Sequence, residues 1–292
     1  MIRILAAAIL STATVASAAS GPLHDAATKI TGTHHDAVVW LSVIVKTSMS
    51  VDGDAPAQIK AQLAGQDQET TTEITGTFIT SGGLLVTALA RLDQSSLIDG
   101  KTINTPMGPI KIKAESEIKE VKAIMPDGTE IPADLVLKDA DLGLAFIKLR
   151  MESDEAKDVE IHAIDLADSA KGSLLDDCIA IGRLGKSLNR EPSVLTTEIS
   201  GITTRPRTFY RVMTDSVGCP VFLSDGKLLG ITVIRKPSGD FGTGKINMSP
   251  VVLPAADVAK IAEQAKTAAP AKKEEASDEK KEETPAETPA EK

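Results

Sequence analysis

Two side chains able to act as nucleophiles lie three residues apart in the segment 214–221, which reads TDSVGCPV. Ser216 carries a hydroxyl, Cys219 carries a thiol, and Asp215 precedes the serine. A serine or cysteine nucleophile needs an imidazole that takes up its proton and a carboxylate that orients that imidazole. The segment therefore indicates acyl-transfer chemistry only if a histidine and an aspartate reach it in the folded chain.

The chain contains four histidines, and none of them is close in sequence to this segment. They are His24, His34, His35 and His162. The first three precede the first predicted strand, and His162 belongs to the connection between the two predicted halves. The adjacent pair His34 and His35 is a weak metal signal, because no cluster of carboxylates or cysteines accompanies it. We therefore predict neither a metal site nor a bound cofactor.

Short apolar segments separated by turn signals predict an all-β protein. Residues 37–45 are rich in β-branched side chains and predict a buried strand, and residues 48–73 predict a long loop with one helical turn near 58–63. Further strands are predicted at 74–80, 84–89, 119–125, 131–137 and 144–149 and, after a charged connection at 151–160, at 175–181, 193–202, 208–213, 220–223, 228–234 and 245–252. Asp225-Gly226 predicts a hairpin turn, and residues 255–265 predict a closing helix. Many short strands favour a sandwich or a barrel.

Four sequence blocks resemble, in the same order, segments of trypsin-like serine proteases of the HtrA/Deg type. They are GTFITSGGLLVT at 76–87, similar to GSGFIIxxxGxILTNxHVV; DADLGLAFIKL at 139–149, similar to DPxxDLAVLKI; CIAIGRLG at 178–185, similar to VxAIGNPxG; and TDSVGCPV at 214–221, similar to TDAxxxxGNSGGPL. VVLP at 251–254, followed by a helix, resembles the end of an HtrA protease domain. The resemblance covers about residues 36–265, with no PDZ domain after it. It implies two packed antiparallel six-stranded β-barrels, at 36–150 and 160–265, with a C-terminal helix.

In the register of these blocks, the positions of the catalytic triad hold residues without catalytic groups. Ala90 falls at the position of the histidine, Gly143 at that of the aspartate and Val217 at that of the serine. The loop is also shorter than in the family between Asp215 and Gly218. Backbone N–H groups of this loop form the oxyanion hole in the family, and one such donor contributes roughly 3–4 kcal/mol. The resemblance therefore implies that ordinary proteolysis has been lost.

Three residues offer alternatives to this interpretation. Asp141 would take the aspartate role if the alignment slipped by two residues, although a turn residue at the entry to a strand is the simpler role. Ser216 would become the nucleophile after a one-residue insertion, and Cys219 would serve as a thiol nucleophile two positions late. Both nucleophiles would still need a nearby base.

The two ends of the chain have compositions unlike that of the predicted barrels. Arg3, an apolar stretch at 4–10 and the sequence Ala16-Ser17-Ala18 predict a signal peptide over residues 1–18, and hence a secreted or periplasmic protein. No segment is long and apolar enough to span a membrane. Residues 19–35 predict a short lead-in. Residues 266–292 are dominated by Lys, Glu, Ala and Pro and predict a disordered tail.

The overall composition restricts the core and the partners. Hydrophobic residues make up 42% of the chain but aromatic residues only 2%, so the core must be built mainly from Val, Ile, Leu and Ala. The net charge of −9 argues against a nucleic-acid partner. Cys178 and Cys219 are the only cysteines. In an oxidising compartment they would either form one disulfide or act as two buried small hydrophobic residues.

Three functions follow from these observations. The first is an exported, inactive protease homologue that binds a peptide or protein in the cleft between its barrels, by addition to a strand edge. The second is an active endopeptidase with a displaced nucleophile at Ser216 or Cys219. The third is a structural protein of the cell envelope in which the tail acts as a tether. The oligomeric state is not predicted.

Overall fold

The computed structural model describes residues 21–52, 57–63, 68–93, 95, 99–105, 108–235 and 249–268. The predicted signal peptide, nearly all of the predicted tail and the first residues of the predicted strand 245–252 lie outside this part of the chain. Strands dominate, and two closed antiparallel six-stranded barrels account for almost all of them. The predicted fold class is thus confirmed.

The first barrel is formed by the N-terminal half of the chain. Its strands in chain order are β1 (Val38–Asp52), β2 (Gln68–Phe78), β3 (Leu84–Ala88), β4 (Thr102–Thr105), β5 (Gly108–Ile124), β6 (Glu130–Asp139) and β7 (Leu144–Leu149). The barrel order is β1-β2-β3-β7-β6-β5, and pairing of β1 with β5 closes it. β4 pairs with β5 outside the ring. Two short helices, α2 (Ala57–Leu63) and α3 (Leu89–Leu92), lie in the connections.

The second barrel follows an irregular connection that contains the 3-10 turn Asp154–Ala156. Its strands are β8 (Asp177–Arg183), β9 (Pro192–Thr203), β10 (Phe209–Val212), β11 (Pro220–Leu223), β12 (Leu228–Arg235) and β13 (Ser249–Pro254). They close in the order β10-β13-β12-β11-β8-β9. The Asp225-Gly226 turn joins β11 to β12 as predicted, with Gly226 at φ +92°, in the left-handed region that favours glycine.

Strands of the first barrel are longer than their apolar patterns predicted. β1 continues to Asp52 and β2 begins at Gln68, so the loop predicted at 48–73 is reduced to a shorter connection around α2. β5 begins at Gly108 rather than at residue 119, and its first half alternates charged, exposed residues with buried Ile112 and Ala114. The polar extensions form strands because β1 pairs with β5 as far as Asp52. Pairing, rather than hydrophobicity, determines their structure.

Side-chain alternation along the strands separates three apolar clusters. One fills the first barrel with side chains such as Leu41 and Ile147, and another fills the second barrel with side chains such as Ala180 and Val221. The third lies on the outer faces and holds the barrels together, with Phe146 from β7 and Ile181 from β8 among its members. Aliphatic residues predominate in all three clusters, as the composition required. The two barrels therefore form one packed unit.

Polar contacts reinforce the junction between the barrels. Arg183 at the end of β8 is buried, and its guanidinium group donates to the backbone oxygens of Val38 and His35. The indole N–H of Trp40 donates to the backbone oxygen of Leu184 at 2.9 Å. Buried and paired donors of this kind fix the relative position of the two barrels.

The predicted lead-in is instead the helix α1 (Pro22–His34), which continues into the 3-10 turn His35–Ala37. Pro22 begins the helix, at a position where a missing N–H costs nothing. Ala27 and Ile30 are buried against the outer cluster, which gives α1 one apolar face against the second barrel. The closing helix α4 (Ala255–Thr267) extends two residues beyond its predicted end, so residues 266 and 267 belong to the helix and not to the tail. No helix among the described residues could span a membrane.

Candidate active site

The structure brings the three segments of the predicted triad positions together. Ala90 lies in α3, and the neighbouring N–H of Leu89 donates to the oxygen of Gly143 at 2.9 Å. The loop containing Val217 connects β10 to β11. A Cβ atom placed on Gly218 would lie 3.2 Å from the backbone nitrogen of Ala88, immediately before α3. The order of the sequence blocks thus corresponds to one spatial cluster at the junction of the barrels.

Threonine hydroxyls from the first barrel fasten the Val217 loop. Thr75 Oγ1 donates to the backbone oxygen of Val217 at 2.5 Å, and Thr77 Oγ1 donates to that of Gly218 at 2.7 Å. Thr87 Oγ1 on β3 donates to the oxygen of Thr75 at 2.7 Å. All three threonines are buried. The bonds from Thr77 and Thr87 are buried and the bond from Thr75 is partly buried, so loss of the Thr77 hydroxyl would leave the buried carbonyl of Gly218 without this donor.

A fourth buried threonine fastens the loop from within the second barrel. Thr232 on β12 accepts a hydrogen bond from the N–H of Cys219 through its hydroxyl at 2.9 Å, and its backbone oxygen accepts from the N–H of Gly218 at 2.7 Å. The loop is thus bonded on both sides, by β2 and by β12.

Gly218 is required by this close packing. Its φ is +78°, and a Cβ atom there would lie 2.5 Å from the oxygen of Thr75 and 3.0 Å from Thr87 Oγ1. The two obstacles are a strand backbone and a hydrogen-bonded hydroxyl, neither of which is the free end of a flexible side chain. Any other residue at this position would force the loop away from the first barrel.

The turn that contains Asp141 and Gly143 is closed by its own backbone and by Arg235. Gly143 has φ +72°, its N–H donates to the oxygen of Asp139 at 2.9 Å, and Asp139 Oδ1 accepts from the N–H of Leu142. Arg235 Nη1 donates to the backbone oxygen of Asp141 at 2.7 Å. Asp141 itself is exposed. These contacts are those of a turn residue at the entry to β7.

Ser216 has an aspartate neighbour but no imidazole partner. Its Oγ donates to Asp215 Oδ1 at 3.1 Å, and its N–H donates to Thr214 Oγ1 at 3.2 Å. The side chain lies over Gly182, where an added Cβ atom would be 2.8 Å from Ser216 Oγ. Proton transfer to a base, which a serine nucleophile needs, has no histidine to receive it in these contacts.

Cys219 is fully buried, and burial raises the pKa of its thiol to about 12. Nearby hydroxyls of Thr75 and Ser216 act in the opposite direction but do not compensate. A thiol becomes a nucleophile as its thiolate. Cys219 therefore has the environment of a structural cysteine.

The two cysteines are free and do not form the disulfide considered above. β11 pairs with β8 such that Leu223 lies opposite Cys178. Cys219 precedes Leu223 by four residues, which is about 13 Å along a strand. A disulfide requires Cα atoms within about 7 Å. Both cysteines are instead buried small residues, which was the other possibility predicted from the sequence.

Two of the histidines have partners outside these three segments, and the other two are exposed. The ring of His34 stacks on Phe222 with centroids 4.7 Å apart, and His35 Nδ1 lies 2.9 Å from the oxygen of Thr31. His24 on α1 and His162 in the inter-barrel connection are exposed. In the described part of the chain, no group of three or more His, Cys, Asp or Glu side chains could hold a metal ion.

Sequence reasoning missed the four threonines that fasten the loop. Thr75, Thr77 and Thr87 lie within or beside the first sequence block, where they read as ordinary strand residues. A signal was present, because hydroxyls at alternate positions of a strand point to one face and need partners when that face is buried. The sequence could not identify the partner, because the Val217 loop lies more than a hundred residues further along the chain.

Comparison with known proteins agrees with the fold and the clustered segments. No curated protein matches the chain significantly. The family model described as the trypsin-like peptidase domain matches residues 74–231, just over half of the 292-residue chain. This stretch contains Thr75, Thr77 and Thr87, both cysteines, Ala90, Gly143 and the Val217 loop, and it ends one residue before Thr232. With two closed antiparallel barrels and these segments meeting at their junction, the chain belongs to the trypsin-like peptidase domain family.

Proposed function

We propose that this protein is an exported, catalytically inactive member of the trypsin-like family, of HtrA/Deg type, that binds peptide or protein segments without cleaving them. The observation that carries the proposal is the Val217 loop. At the position aligned with the nucleophile the chain has an aliphatic side chain, and hydroxyls of Thr75 and Thr77 hold the loop against the first barrel. Neither Ala90 nor Gly143 supplies a base or an orienting carboxylate.

A free strand edge supports the binding part of the proposal. β2 pairs with β1 from Gln68 onward, but its pairing with β3 begins only at Gly76. Among the described residues, the stretch 68–74 therefore has one edge without a neighbouring strand. An extended peptide adds to such an edge through backbone hydrogen bonds. The edge ends at Thr75, whose hydroxyl bonds to Val217, so it leads directly to the candidate site.

The negative charge of this protein would repel a nucleic acid and so argues against one as the ligand. The chain carries a net charge of −9, and the side chains along the free edge include Glu69 and Glu73. Glu73 is itself paired with Arg190 at 2.5 Å. Polypeptide is the ligand class that the strand edge fits.

Two further functions remain as alternatives to be tested. An active endopeptidase would use Ser216 or Cys219. Ser216 bonds to Asp215 and not to an imidazole, which argues against it as a nucleophile. Burial raises the pKa of the Cys219 thiol, which argues against Cys219. A structural role in the cell envelope would depend on the tail, so deletion of residues 270–292 would change localisation without changing folding.

The first experiment measures turnover of an unfolded casein reporter by the chain without residues 1–18, beside its Ser216→Ala variant. We expect no cleavage by either protein at high concentration and long times, together with saturable binding of casein or of extended peptides. Cleavage by the parent alone would show Ser216 to be the nucleophile and would overturn the proposal. Absence of both cleavage and binding would overturn it as well and would leave the structural role.

A further inference from the structure

The hairpin between β9 and β10 concentrates positive charge on an acidic protein, and this charge has no carboxylate partner in the described part of the chain. It reads TTRPRTFYR over residues 203–211 and contains Arg205, Arg207 and Arg211. Arg205 and Arg211 are exposed, and Arg207 is half-buried. No described carboxylate lies within 4.0 Å of any of these three guanidinium groups. By contrast, Arg150, Arg183 and Arg190 each contact a carboxylate.

The backbone of the hairpin is held in place without using the arginine side chains. Thr203 Oγ1 donates to the oxygen of Arg207 at 3.3 Å, and Ser200 Oγ donates to that of Arg211 at 3.1 Å. Pairing of Phe209 with Thr203 and of Arg211 with Gly201 fixes the register of the two strands. The three guanidinium groups are thus presented by an ordered scaffold, which lowers the entropy cost of binding a ligand.

The only acidic residue of β9 lies outside the part of the strand that pairs with β10. Glu198 is opposite Asp177 of β8, whereas pairing with β10 involves residues 199–203. Ile202, 38% exposed, lies opposite Tyr210 in the ladder, so alternation places it on the other face of the hairpin from Arg211. The argument for a ligand therefore rests on the charge of the hairpin.

We propose that this hairpin is a docking surface for a short acidic polypeptide segment of a partner protein. Arginine binds carboxylates with paired, directional hydrogen bonds. Arg207 precedes β10 and Arg211 lies within it, so the four residues between them separate their Cα atoms by at most about 13 Å. Carboxylates at alternate positions of an extended peptide are about 7 Å apart, so three of them span this distance.

The length of the ligand follows from the charge of the rest of the molecule. A long polyanion or an anionic membrane would also face the remaining surface of a chain whose net charge is −9, and would be repelled. A short segment feels mainly the hairpin, because salt screens charges beyond about 8 Å. The surface is separate from the strand edge of β2, so the proposal does not depend on the function proposed above.

The test uses the chain without residues 1–18 and a fluorescein-labelled peptide of alternating Glu and Ser, with binding followed by fluorescence anisotropy. The triple variant Arg205→Gln, Arg207→Gln, Arg211→Gln removes the surface. The matched control, Lys138→Gln, Lys157→Gln, Lys260→Gln, removes the same charge from exposed positions elsewhere. Circular dichroism and thermal melting establish that each variant is folded.

We expect the hairpin variant to bind about tenfold more weakly, or worse, than the parent, and the control variant to bind within about twofold of it. A peptide with Gln in place of Glu should not bind, and raising NaCl from about 25 mM to about 300 mM should weaken the parent complex. Equal weakening in both variants, or absence of binding by the parent, would overturn the proposal. Tighter binding of heparin or of phosphatidylglycerol vesicles through the same arginines would also overturn the assignment to a peptide.

Discussion

The hydroxyl of Thr75 in the first barrel donates to the backbone oxygen of Val217 in the second barrel at 2.5 Å. The bond joins two positions 142 residues apart at the place where the nucleophile of a trypsin-like enzyme is expected. The hydroxyl is shielded from water, since Thr75 is 6% exposed, while Val217 is half-buried. The loop is consequently part of the structural junction between the barrels.

Removing either fastening hydroxyl should destabilise the protein. Thr75→Val and Thr77→Val keep the shape of the side chain but leave a loop carbonyl without its hydroxyl donor, at a cost of about 1–3 kcal/mol for the buried carbonyl of Gly218 and about 1 kcal/mol for that of the half-buried Val217. Urea unfolding would measure this loss, and hydrogen exchange at Gly218 and Cys219 should accelerate. Thr77→Ser retains the hydroxyl and should recover most of the stability. Valine variants as stable as the parent would show that the bonds contribute nothing.

Alanine at Gly218 should be much more damaging than alanine at Gly226. Both glycines have positive φ, at +78° and +92°. A Cβ atom on Gly218 would lie 2.5 Å from the oxygen of Thr75, whereas one on Gly226 has nothing within 4 Å. We expect Gly226→Ala to cost about 1 kcal/mol of unfolding free energy, and Gly218→Ala to cost about 3 kcal/mol or to prevent folding. Equal losses, measured by chemical denaturation, would contradict the close packing of the loop.

Stability should fall as the pH is lowered through the titration of His34. Burial against Phe222 lowers the pKa of this imidazole from its ordinary value of 6.5, and Asp168 acts in the opposite direction. The unfolded chain therefore binds the proton more readily than the folded chain. The full stability is present above pH 6.5 and is lost as the pH falls toward the lower folded-state pKa.

Urea unfolding from about pH 8 to about pH 5 would measure this dependence. His34→Gln should reduce the slope of stability against pH, while His24→Gln on the exposed face of the same helix should leave it unchanged. A slope that is the same in the parent and in the His34 variant would refute the assignment.

Both thiols should be unreactive in the native protein. Burial raises the pKa of Cys178 and of Cys219 to about 12, and the two side chains are free. A thiol reagent at neutral pH should therefore modify neither cysteine until a denaturant is added, and then both. A protein purified without reductant should have the mass of the dithiol form. A mass lower by two hydrogens would show that the cysteines are bridged after all.

Proline at Thr71 should weaken peptide binding without unfolding the protein. The N–H of Ile79, just after β2, donates to the backbone oxygen of Leu84, and the backbone oxygen of Thr75 accepts from the hydroxyl of Thr87. Backbone groups alternate between the two edges of a strand, so odd-numbered residues of β2 direct theirs toward β3. Thr71 is odd-numbered, so its N–H points to the free edge of β2. Proline is tolerated at edge positions whose N–H makes no ladder bond.

The control for this experiment is Thr72→Pro. Its N–H belongs to the ladder with β1, where Thr72 lies opposite Val43. We expect it to lower the melting temperature, while Thr71→Pro keeps the melting temperature and weakens peptide binding about tenfold or more. Unchanged binding by the Thr71 variant would show that peptides do not add to this edge.

The strand pattern of the sequence predicted much of the architecture. β7 (Leu144–Leu149) and β11 (Pro220–Leu223) have the predicted bounds, because they are short apolar segments between turn residues. The helix α1 was missed, since its buried residues Ala27 and Ile30 are too few to give a helical pattern. The polar half of β5 was missed because its structure depends on pairing with β1, which is not a local property.

The sequence by itself determined the identity of the residues at the candidate site: Ala90, Gly143 and Val217 carry no group that takes up or donates a proton. It also determined the order of the blocks that identify the family. Only the tertiary structure decided how the site is closed and whether the cysteines meet. Hydrogen bonds such as Thr75 to Val217, and the register that separates Cys178 from Cys219, join residues distant in the chain. Such contacts depend on how the barrels pack, and no local pattern of residue types encodes them.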